Sequence, residues 1–293
     1  MRQVVSLELK KAFRTKGFYI ALVVGLLISL YHTVWIYRNV YAPNNVEYEK
    51  VTELGEMDKE YGYWYEIGVL DGWLGTELQS PCNQLFYLLL PFLAVLPYGS
   101  QLFSEWNNGY AGQMIIRCGR RRYLTARGIA AFVSGGCVIA IPLLVNFLSI
   151  ACFMPIIGTD PMALQSVVPG RALLGDIVYE APALYAAWYI FIDFIYGGLF
   201  ALMALAITQF CNNGFVLTIL PLMFNCCMYY GIHNLIPDIN AYNISLIPNP
   251  AQQGMKLTWH SLFLSMSGTF LILIVLFAAS NYKKDVLRTG AME

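Results

Sequence analysis

Charge is what this chain has least of. Only 12% of its 293 residues are Asp, Glu, Lys or Arg, against 58% hydrophobic. A water-soluble domain carries about 25% charged residues. Half that density cannot cover a folded surface with polar groups, so lipid is the expected solvent, and a mean hydropathy of +0.55 agrees. Formal net charge is zero, which speaks against a nucleic-acid partner. There are three histidines, His32, His233 and His260, and seven cysteines, with no ligand spacing among them, so no metal site is expected. Free thiols are expected too, Cys82 and Cys152 being the one pair that could meet on a common surface. The phosphate-cradling run G-x-x-x-x-G-K-[ST] does not occur, so ATP hydrolysis is not expected in this chain. The opening MRQVVSLELKKAFRTK is too charged for a cleavable signal peptide, and the run after it lacks a small-residue cleavage pattern.

Apolar length, by contrast, is abundant. A bilayer core takes about 20 apolar residues in helix, and six runs reach that length, at 18–37, 84–103, 128–154, 184–208, 214–236 and 260–280. Pro91, Pro97, Pro142 and Pro221 lie inside them, where membrane helices tolerate kinks. The reading is one all-α, polytopic transmembrane domain over residues 1–293. With the N-terminus inside, segments 1–17, 104–127, 209–213 and 281–293 hold 13 of the 18 basic residues and 4 acids. The outer segments 38–83, 155–183 and 237–259 hold 13 acids and 5 basic residues. Lysine and arginine accumulate on the cytoplasmic side, so both termini are expected in the cytoplasm of a cell-membrane protein. The outer loop 38–83 sets Tyr61, Tyr63, Trp64, Tyr65 and Trp73 among carboxylates. Such aromatics favour the headgroup zone, either as plain packing or as a lid.

Two inner segments carry pattern. Val5, Leu9, Ala12 and Phe13 share one helical face while Lys10, Lys11 and Arg14 point elsewhere. Residues 1–17 therefore read as an amphipathic elbow helix along the inner headgroups, although a simple basic anchor would explain the same charges. Segment 104–127, SEWNNGYAGQMIIRCGRRRYLTAR, is the longest inner loop. Gly109 and Gly112 permit a tight change of direction, AGQMII forms a short apolar patch, and Arg117, Arg120, Arg121, Arg122 and Arg127 follow. Arginine grips phosphates and carboxylates, and the loop is read as a docking surface, although much of the arginine cluster could equally serve to hold the loop inside.

Within the spans, Ala21, Gly25 and Ser29 recur every four residues, as do Gly197 and Ala201. Small residues let membrane helices approach, so the first set is expected either at an interface between two chains or in packing within one. Asp193 is the one acid well inside a span. An ionised aspartate there costs about 2.5–3.5 kcal/mol, so it should be protonated, paired or wet. Hydrogen bonding to Asn146 or Asn225, or a place with them on a translocation path or gate, are the two expectations.

The elbow, the six spans and the loop pattern Glu105, Gly109, Met114, Ile115, Arg121, Tyr123 and Arg127 together resemble the permease subunit of ABC-2-type transporters. Two departures stand out: Tyr110 follows the glycine where family members often have threonine, and Cys118 and Gly119 stand where they often have proline. The resemblance implies that 104–127 is a coupling loop fitting a groove on an ATP-binding-cassette ATPase subunit. Its expected contacts are Glu105, Trp106, Asn107, Gly109, Tyr110, Gly112, Met114, Ile115, Arg117, Arg120, Arg121, Arg122 and Tyr123. It also implies two permease chains, identical or homologous, with ATP and Mg held by the partner ATPase and no cofactor here. In size and style the chain is similar to small bacterial exporters of amphipathic or antimicrobial-type peptides, which makes a hydrophobic or amphipathic peptide the expected cargo.

Two other classes fit less well. A membrane-embedded hydrolase needs paired catalytic groups at membrane depth, and the spans offer Asp193 and scattered serines, so no catalytic residue is assigned. A secondary transporter leads one to expect several intramembrane ionisable groups or inverted repeats, and neither is evident.

Overall fold

The structure is a computed structural model, and it describes residues 1–45, 67–78, 80–99, 101, 104–105, 108–158, 173–208, 213–251 and 257–283. Every regular element among them is helical. The main helices are α1 (Arg2–Phe13), α2 (Lys16–Ile36), α3 (Val69–Gly72), α4 (Pro81–Val95) and α5 (Tyr110–Cys118). They continue with α6 (Arg120–Ala151), α7 (Gly175–Glu180), α8 (Pro182–Ile207), α9 (Gly214–Cys226) and α10 (Trp259–Lys283). Five stretches are long and apolar enough to cross a membrane: Lys16–Asn45, Arg120–Ala151, Pro182–Ile207, Gly214–Gly231 and Trp259–Phe277. The run at 84–103 departs from expectation. Its helix α4 has 15 residues, about 22 Å at 1.5 Å per residue, short of a hydrocarbon core of about 30 Å. Pro97 cannot donate the next backbone hydrogen bond, and Leu96–Gly99 continue as turns.

Helix α6 is the central element. It runs antiparallel to α8, and their crossing is built on glycine. A Cβ on Gly136 would lie 2.5 Å from the carbonyl oxygen of Phe194, and one on Gly197 would lie 3.1 Å from that of Gly135. The backbones thus touch, and Phe132 and Phe194 close the crossing edge to face with centroids 5.8 Å apart. On the other flank α2 runs parallel to α6. Its inward residues Phe18, Ala21, Gly25, Ser29, His32 and Ile36 follow the 3–4 spacing of a helix seam. Gly25 leaves no room for a methyl beside Pro142, and the Ser29 hydroxyl donates to the Pro142 carbonyl at 2.9 Å. The stripe Ala21, Gly25, Ser29, weighed as an interface between two chains, is therefore buried inside this one against α6. The opposite α2 face, Tyr19, Ile20, Val23, Leu27, Tyr31 and Val34, is exposed and apolar, as a lipid-facing surface should be.

Among the described residues, the arginines of 117–127 lie at one end of this bundle and Asp71, Glu77, Asp176 and Glu180 at the other. At the basic end Thr15 caps α2, accepting from the Phe18 amide at 3.2 Å. Its hydroxyl lies within donating distance of the carbonyls of Ala12 (2.8 Å) and Pro97 (2.9 Å). This turns the chain between α1 and α2. At the acidic end residues 67–78 do not rest on the surface. Val69, Leu70, Trp73 and Leu74 are buried, the Trp73 indole donates to the Leu143 carbonyl at 3.3 Å, and Asn146 accepts from the Leu74 amide at 2.8 Å. Trp73, expected among the headgroups, is instead part of a plug held by α6. Tyr61, Tyr63, Trp64 and Tyr65 lie outside the described residues.

Candidate functional site at the basic end

The site begins with a conflict in α1. Ala12 and Glu8 are its two fully buried residues, and a carboxylate shielded from water needs a partner. The partner comes from α6. Arg127, expected near the end of a loop, lies two turns into that helix with no solvent exposure, and its Nη1 stands 3.8 Å from Glu8 Oε2. The same nitrogen donates to Glu105 and, at 3.0 Å, to the Tyr123 hydroxyl. Tyr123 donates to Glu105 Oε2 at 2.8 Å, and the Tyr98 hydroxyl donates to Glu8. Lys11 completes the set by donating to Glu105. Two carboxylates thus face two cations, a balanced group that joins α1, the chain after α4 and the start of α6. Aromatic faces line it. The Arg127 guanidinium carbon is 4.5 Å from the Tyr98 ring centroid, and Lys11 Nζ is 4.2 Å from that of Tyr110, both within cation–π range.

On this platform sits α5. Gly109 starts it at φ +70° and Gly119 ends it at φ +82°, a region that glycine enters without steric cost. The two reversals lay a nine-residue helix across the bundle end. Its apolar side, Ala111, Met114, Ile115 and Cys118, faces α6 and forms one cluster with Tyr123 and Leu124, to which Leu205 of α8 and Phe277 of α10 also belong. Its outer side presents Gln113, Arg117 and Ile116, the last 85% exposed. Arg121 and Arg122 are exposed one turn away and make no ion pair among the described residues.

This geometry sorts the residues expected to meet a partner. Gly109, Arg117, Arg121 and Arg122 are on the surface, with Tyr110, Gly112 and Arg120 half-buried. Glu105 and Tyr123 are buried in the ionic group, and Met114 and Ile115 are half-buried in the apolar cluster beside α6. Ile116 is the exposed residue of the apolar patch. Trp106 and Asn107 lie outside the described residues. Of the elbow residues, Lys10 and Arg14 are exposed, Phe13 is half-buried, and Lys11 is turned inward rather than to solvent. Glu8 and Tyr98 were not anticipated. The signal for Glu8 was present: it is the sole acid of residues 1–17 and falls on the face of Val5 and Ala12, where a charge has no reason to be unless something answers it.

The intramembrane polar residues do not form one site. Asp193 is fully buried and accepts from the Tyr87 hydroxyl at 3.4 Å, its Oδ1 having no hydrogen-bond partner among the described residues. Asn225 donates to the Tyr87 carbonyl at 3.4 Å, and Asn146 is spent on α2 and the plug. Neither asparagine meets Asp193. The described cysteines are free thiols, Cys82 buried and Cys152 exposed, and no group of three or more potential ligands among the described residues could hold a metal. The chain matches no protein-family model, no curated protein and no solved structure.

Proposed function

We propose that this chain is the membrane-spanning subunit of an ABC-2-type exporter, with its basic end and both termini in the cytoplasm. A separate ATPase subunit, which holds ATP and Mg, docks on α5. Two such chains and two ATPases form the working unit, α1 lies along the inner headgroups, and the cargo is a hydrophobic or amphipathic peptide. The observation that carries this reading is the mounting of α5. A surface helix with an exposed isoleucine between glutamine and arginine is seated through its inner side on α6, within an apolar cluster that also holds residues of α8 and α10. Force applied there reaches the bundle without first bending a loop.

The test is co-expression with a candidate ATPase subunit. Ile116→Asp and Arg117→Glu should each abolish co-purification and cut transport-linked ATP turnover at least tenfold, leaving the melting midpoint of the isolated chain unchanged. Deleting the gene should trap amphipathic peptides in the cytoplasm. Transport by the chain alone, driven by an imposed ion gradient and lost in Asp193→Asn, would replace this reading with secondary transport. Asp193 and its unpartnered oxygen are the one observation that favours that alternative.

A further inference from the structure

Between α6, α8 and α10 lies a cleft of about 640 Å³, lined by Leu124, Thr125, Phe132, Leu202, Phe270 and Ile274 among others. Its size falls within the range of about 300–1,000 Å³ typical of small-molecule sites. Apart from the Thr125 hydroxyl, which donates to the Arg121 carbonyl, the lining side chains are apolar. On α6 it runs from Leu124 to Phe132, about 12 Å along the axis, most of the half-thickness of a hydrocarbon core of about 30 Å. Its outer edge is open, with Ile129, Phe270 and Ile274 each more than two-fifths exposed. Nothing polar waits inside for a polar cargo.

What stands at its mouth is charge. Arg121, Thr125, Gly128 and Phe132 succeed each other at i, i+4, i+7 and i+11, one face of the helix. Arg121 therefore continues the floor of the cleft toward the basic end, and Arg122 stands above the Ile129 edge. Both are exposed, without an ion pair among the described residues. We infer that the cleft is a binding site for one anionic phospholipid, its acyl chain between α6, α8 and α10 and its phosphate on Arg121 and Arg122. An apolar slot of one leaflet's depth under two unanswered arginines matches that molecule in length, in polarity and in charge, and basic positions between spans are where acidic headgroups bind. Three of the lining residues, Leu124, Leu205 and Phe277, also belong to the apolar cluster that holds the inner side of α5. The bound lipid thus lies directly beneath that helix and stiffens its mounting. The inference needs only that the chain spans a bilayer, and it stands apart from the exporter reading.

The experiment uses the full chain, delipidated in mild detergent and titrated with phosphatidylglycerol or phosphatidylcholine of identical acyl chains. Native mass spectrometry should retain one phosphatidylglycerol per chain, with phosphatidylcholine at least tenfold weaker. A photoreactive acyl group should label 124–132 and 270–277. Gly128→Leu, which fills the floor while sparing both arginines, should abolish retention and labelling. R121Q combined with R122Q should lower the phosphatidylglycerol preference at least fivefold. Equal binding of the two lipids overturns the proposal, as does labelling concentrated on the outward face of α2, or retention unchanged by Gly128→Leu. If lipid enters only after residues 284–293 are deleted, that segment is the occupant and the proposal fails. Should Gly128→Leu not fold, Ile129→Trp blocks the open edge, and the labelling of the unaltered chain still decides.

Discussion

Replacing Arg127 by methionine tests the reasoning at its centre. The stem of the side chain is kept in volume while the charge is removed. Arg127 is fully buried, and its loss takes away the bonds to Glu105 and Tyr123 and the cation beside Glu8. Breaking one side of a buried ion pair costs about 3–5 kcal/mol, because the remaining charge stays dehydrated. For a chain of this size that corresponds to a fall in melting midpoint of roughly 10 °C. Glu8→Gln alone should cost about 1–2 kcal/mol, since Arg127 keeps Glu105. The double variant is the decisive arm. With both Glu8 and Arg127 neutral, Lys11 and Glu105 still form a balanced pair, so it should be more stable than Arg127→Met by at least about 2 kcal/mol. The assay is thermal unfolding of detergent-purified chain for the four members of the cycle. Losses that add to within about 0.5 kcal/mol, or an unchanged midpoint in Arg127→Met, would refute a coupled ionic group.

Three further outcomes follow from other sites. Gly136→Ala drives a methyl to 2.5 Å from the Phe194 carbonyl oxygen and should cost about 1–3 kcal/mol, whereas Gly128→Ala, 3.7 Å from Leu202, should leave the midpoint unmoved. In the plug, burial raises the Asp71 carboxyl from 3.8 to about 6, against the lowering effect of the Gly68 amide that it accepts from. The folded state therefore holds a proton that the unfolded chain has released. Stability is greatest below about pH 4 and is lost as pH rises through 6, so the unfolding free energy should rise by about 1.4 kcal/mol between pH 8 and pH 5, and the midpoint with it. Asp71→Asn should flatten that dependence, and a midpoint that falls over the same range would contradict the assignment. A variant retaining Cys152 as its single cysteine should react with an impermeant maleimide on intact cells, because that free thiol is exposed at the acidic end; reaction only after permeabilisation would invert the proposed orientation.

Much of the architecture was legible because hydrophobic length and glycine spacing are local properties. Five of the six runs became long helices. The short α4 shows where that method ends: composition measures apolarity, while the backbone donor missing at Pro97 decides where the helix stops. The small-residue stripe on α2 exposed a second limit. Spacing says that Gly25 admits a close neighbour, yet only the fold says that the neighbour is Pro142 of the same chain. Within 104–127 the sequence did not separate the two faces of α5. Met114, Ile115 and Ile116 are equivalent as letters and differ only by the angle at which α5 lies. The ionic group was the least legible part, since it draws Glu8, Tyr98, Glu105 and Arg127 from positions more than a hundred residues apart.

The glycine crossing of α6 and α8 has a mechanical consequence. Gly135 and Gly136 stand at the midpoint of a 32-residue helix, so each arm of α6 extends about 24 Å from the contact. A rod pinned at its centre is a lever with arms of equal length: tilting it swings both tips through the same arc in opposite senses. One tip carries α5, and the opposite arm holds Trp73 and Leu74 through Leu143 and Asn146, about 11 to 16 Å from the contact. A displacement imposed at the basic tip is therefore delivered to the plug reversed and reduced to about half to two thirds of its size.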